Sequence, residues 1–86
     1  MEEKNDINQY LKLIEDAKAS LYPSCTSFTK LSATMKLYNL KVRNGWSDAS
    51  FTHLLKLQRE MLPTGNTIPE STYAAKSLIK SLGLDY

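Results

Sequence analysis

The chain has one cysteine, one histidine, one tryptophan, three glycines and three prolines in 86 residues. A lone Cys25 excludes an intramolecular disulfide, and Cys25 with His53 cannot complete a zinc site. Such cysteine usage fits a reducing compartment, cytosol or nucleus. So few Gly and Pro leave little room for a turn-rich β architecture. No apolar run approaches the ~20 residues that a membrane-spanning helix needs. The polar, acidic start MEEKNDINQY does not read as a signal peptide. An excess of one charge is missing too. Eleven Lys and Arg stand against nine Asp and Glu, and the net charge of +2 permits contact with nucleic acid without arguing for it. Catalytic patterns are also lacking. Glu15 and Asp16 are adjacent and face different ways on a helix, His53 stands alone on a polar face, and Cys25 has no cation closer than Lys30 to lower its thiol pKa. With no nucleophile–base pair, phosphate loop or acidic cluster, the expectation is no enzyme, no metal, no cofactor and no small-molecule substrate.

What is present is helical periodicity in a single domain. At this length about 60% of the unfolded surface is buried on folding. Four helices are expected, over about 7–21, 28–43, 48–62 and 68–82, forming an all-α, compact four-helix bundle. Asp6 and Gln9 offer a capping box for the first, and Tyr22-Pro23 is expected to end it. The central helix, after a Ser27 N-cap, carries Phe28, Leu31, Met35, Tyr38 and Val42 on one face, with Leu37 and Leu40 outside that stripe. Asn44-Gly45 stops it, with Gly45 expected at positive φ, and Trp46 is expected to cap the core. Ser47 is the next N-cap, and Phe51, Leu54, Leu55, Met61 and Leu62 form the apolar side of the third helix. Thr67 and Glu70 then suggest a capping box for the fourth, whose buried side is Ala74, Ala75, Leu78, Ile79 and Leu82 before a Gly83 stop.

Two features bear on function. The second and third helices, joined by a short Gly turn, have helix-turn-helix-like spacing, but the second of the pair opens with Asp48, which repels phosphate. The fourth helix offers Tyr73, Lys76, Ser77 and Lys80 on its outer face, the three large ones within one sector of about 60°. Lysines with an interleaved aromatic grip phosphate and stack on sugar or base; the plain alternative is a solvated helix face.

Three segments carry a family resemblance: LYPSC (21–25), FTKLSATMKLYNLKVRNGWSDASFTHLL (28–55) and MLPTGNTIPESTYAAKSLIKSLGLDY (61–86). They resemble the transposases of plant CACTA-type (En/Spm-like) DNA transposons, in the helical segment between the transposase-associated domain and the catalytic DDE domain. In that family a Cys/His-rich stretch follows the position of Tyr86. The family's catalytic acids and metal-binding cysteines therefore have no counterpart in this sequence. The family also tends to have Gly where Ser24 stands and a further Lys where Ser77 stands. The resemblance implies a nuclear, non-catalytic transposase-derived module, from a longer transposase or a domesticated derivative, that binds duplex DNA. The alternative it leaves is an assembly module that places transposase subunits or recruits a host protein.

Overall fold

The structure, a computed structural model, describes residues 2–84, with side chains from Ile7 to Leu84. Within that range stand four helices, α1 (Glu2–Lys18), α2 (Lys30–Arg43), α3 (Asp48–Met61) and α4 (Thr72–Ser81). Packing runs from α1 to α2, from α2 to α4 and from α4 to α3. The fold is the expected all-α bundle. Among the described residues the only strand-like pairing is one antiparallel bridge between Ser20 and Thr29. No helix among them is long and apolar enough to cross a membrane.

Local side-chain chemistry sets most helix ends. Ser47 caps α3 by accepting from the Ser50 N–H at 3.1 Å. Asn44-Gly45 ends α2 as expected: the Gly45 N–H donates to the Val42 carbonyl and the Trp46 N–H to the Lys41 carbonyl, a Schellman ending. Gly45 supplies the left-handed residue this needs, at φ 65°. Gly83 closes α4 the same way, with Leu84 bonded back to Ile79.

Several boundaries differ from expectation. The first helix covers Glu2–Lys18, so Asp6 lies inside it and is not its cap. It stops three residues before Leu21 because Leu21 and Lys30 exchange backbone bonds with Phe28 and Ala19 across the bridge. The cap of α2 is Thr29, not Ser27, and Thr29 with Ser32 forms a reciprocal capping box. The fourth helix starts at Thr72, not 68. Thr67 does not cap it; its N–H and hydroxyl both turn to the Leu21 carbonyl, at 2.7 and 3.1 Å. Pro69 also holds Ile68 out of helical conformation, and Ser71 becomes the N-cap instead.

The core joins Leu21, Cys25, Ala33, Phe51, Leu55, Ile68 and Ala75, with Tyr22, Leu37, Tyr38, Leu54 and Leu62 packed around it. Because α2 touches both α1 and α4, its small residues Ala33 and Thr34 take its deepest positions, and Thr34 satisfies its hydroxyl on the Lys30 carbonyl. The large residues flank them. Leu31, Met35 and Tyr38 are half-buried, Leu37 joins the core rim, and Phe28 and Val42 are exposed, contrary to the stripe read from spacing. Met61, at the last position of α3, is exposed as well. Trp46 does not enter the core; it is 37% exposed, because the Schellman turn carries it to the rim of the bundle. Ser24 takes φ 70°, a left-handed conformation that favours glycine.

Candidate nucleic-acid interface

Thr72 fixes the start of α4 against the start of α3. It is buried, its hydroxyl donates to the Asp48 carbonyl at 2.7 Å, and its N–H donates to Thr52 Oγ1 at 2.9 Å. The two threonine oxygens lie 3.0 Å apart. Since the one hydroxyl hydrogen of Thr72 goes to Asp48, the Thr52 hydroxyl is the donor between them. This network orients α4 so that Ala75, Leu78 and Ile79 are buried. Tyr73, Lys76, Ser77 and Lys80 are left on the other side.

Tyr73 is 81% exposed, and Ser77 and Lys80 are exposed. Lys76 is half-buried and leans toward Asp48, with Nζ 3.7 Å from Oδ2. That distance is too long for a hydrogen bond. Asp48 has a closer partner in Lys41, at 2.9 Å, so Lys76 leaves it at little cost. The α3 carboxylate that opposes phosphate is thus already matched by a lysine of α2. Lys41 is itself buried, with its ammonium over the Tyr38 ring at 5.7 Å. Nothing local in the sequence marks it, because its burial follows from the α2–α3 corner.

The hydrogen bond from Lys41 holds the Asp48 carboxyl below its usual range; partial burial opposes this, and the charges of Lys41 and Lys76 reinforce it. A carboxyl lowered by folding stabilises the fold above the unfolded value, near 4, and loses that contribution as pH falls through the folded value. Asp48→Asn is therefore expected to lower Tm at pH 7, with a smaller deficit at about pH 3, below the unfolded value. Thermal melts at both pH values check this, and an equal deficit at both would remove the ion pair as its cause.

Between the first turns of α3 and α4 lies a cleft of about 490 Å³. Tyr73 and Lys76 line it from α4, and His53 and Lys56 from α3. Sequence reading placed His53 on a polar face but could not place it, or Lys56, opposite Tyr73, since only the α3–α4 packing does so.

Cys25 corrects one expectation. Burial pushes its thiol up, but hydrogen bonds from the Phe28 and Ser27 backbone, and then from Tyr22, outweigh this and hold it below its ordinary value. The same contact with Cys25 raises the Tyr22 hydroxyl. Among the described residues no group of three or more His, Cys, Asp or Glu is placed to hold a metal ion. Compared with protein-family models, curated proteins and solved structures, the chain matches none.

Proposed function

We propose that the chain is a non-catalytic, transposase-derived helical module that works in the nucleus and binds duplex DNA through the outer face of α4. The transposase part rests on the NGWS, LPTGNT and TYAAK segments of the sequence. The observation that carries the DNA part is the 81% exposed ring of Tyr73, set beside Lys76, Ser77 and Lys80. Two ammonium groups on that face reach adjacent phosphates while the tyrosine lies against sugar or base.

The test is Lys76→Ala with Lys80→Ala, measured by anisotropy on a labelled duplex across a salt series. Two phosphate contacts give the parent a log–log salt slope near about −2, and the double variant is expected to bind more weakly with a flatter slope. Its stability should change by no more than about 1 kcal/mol, since Lys80 is exposed and the half-buried Lys76 has only a long ion pair with Asp48. Unchanged affinity and slope would leave the face as solvated surface.

One observation favours the assembly reading. The apolar residues of α1 lose cover toward the N-terminus, from Ala17 at 2% exposed to Leu11 at 51% and Ile7 at 58%. A mass that rises with concentration in sedimentation supports that second reading.

A further inference from the structure

Resting on the DNA-binding reading, we propose that the α3–α4 cleft is a seat for one nucleic-acid strand, so that the module prefers single-stranded over duplex DNA. The cleft is walled on both sides by groups suited to a sugar-phosphate chain. Lys56 and His53 stand three residues apart on α3, one turn of one face, and Lys76 stands across from them on α4. Thr52 and Ser71 complete the lining, with their hydroxyl oxygens engaged at the start of α4. Asp48 is the only carboxylate of the lining, and its near partner Lys41 offsets its charge. The cleft therefore has a net positive lining.

Tyr73 is the second part of the seat. Its ring lines the cleft mouth and is almost fully solvated, which leaves an open face for a base. A cationic groove beside an exposed aromatic is how proteins hold single strands without reading sequence. The recess of about 490 Å³ lies between two packed helices, so it has room for a few groups of one strand, whereas a duplex is too broad to enter it. A duplex meets only the convex rim, at Lys76, Ser77 and Lys80; a single strand reaches Lys56 and His53 as well. The contacts are to backbone and to any base face, so no sequence preference follows.

The experiment compares anisotropy of a labelled oligothymidylate and a labelled duplex with the parent, Lys56→Ala, Tyr73→Ala and Lys80→Ala. All three residues are exposed, and a matching circular dichroism melt confirms that each variant is folded. The parent is expected to bind the oligothymidylate several-fold more tightly than the duplex. Tyr73→Ala should lower single-strand affinity by about tenfold, in the range of one lost base stack. Lys56→Ala should lower it severalfold and change duplex affinity little. If Lys56→Ala binds the oligothymidylate as the parent does while Lys80→Ala weakens the duplex, the cleft proposal is overturned and the α4 face stands alone. If the parent binds neither DNA, both readings fail together.

Discussion

Phe51→Ala is expected to cost about 3–5 kcal/mol, as buried Phe truncations do. Phe51 is 0% exposed and belongs to the central core cluster. Its cluster draws Leu21 and Cys25 from the first connection, Ala33 from α2, Ile68 from the last connection and Ala75 from α4. The Tyr38 ring meets it edge-on, with centroids 6.0 Å apart at 72°, a geometry that adds to simple burial. Removing the ring leaves a cavity among side chains that belong to four separate segments, and no single segment shifts to fill it. A domain of this size has a total stability of about 4–13 kcal/mol. The variant should therefore lose a large share of its stability. Urea titration followed by circular dichroism measures this as a lower midpoint at constant slope. A loss under about 1 kcal/mol would contradict the central place of Phe51.

Ile68→Ala is expected to cost about 2–5 kcal/mol, although Ile68 lies in a connection and not in a helix. Its side chain is 2% exposed and belongs to the core cluster that joins α2, α3 and α4. The backbone around it is tied down on all sides. Arg59 donates to its carbonyl at 2.7 Å, and its N–H donates to Asn66. Asn66 in turn donates to the carbonyls of Arg59 and Pro63, and Thr67 is bonded to Leu21. With the backbone so held, the connection cannot collapse into the space the isoleucine leaves. The same urea titration reads the loss. An effect no larger than that of an exposed loop substitution, about 0.5 kcal/mol, would mean that the connection floats free of the core.

Ile68 also shows where sequence reading stops. Thr67 with Glu70 and Ser71 with Ala74 are both acceptable local starts for a helix, and the choice between them depends on whether Ile68 is inside. That is settled by Leu21, 46 residues before Thr67, whose carbonyl takes the Thr67 N–H. The turn at Asn44-Gly45 and the Ser47 cap were legible, because those interactions close within five residues. The outer face of α4 was legible for a related reason: Tyr73, Lys76 and Lys80 share a side by helical period alone. The burial of Lys41, the exposure of Phe28 and Trp46, and the cleft shared by His53, Lys56, Tyr73 and Lys76 were not legible. Each depends on how two helices cross, which periodicity within one helix does not encode.

The most direct test of DNA binding by α4 is to titrate the isotope-labelled protein with DNA and follow its backbone amide resonances. The account predicts that the largest shifts cluster at Tyr73, Lys76, Ser77 and Lys80 and fade when salt is raised, while Ile7, Tyr10 and Leu11 stay still. Shifts confined to α1, or none at all at low salt, would contradict it.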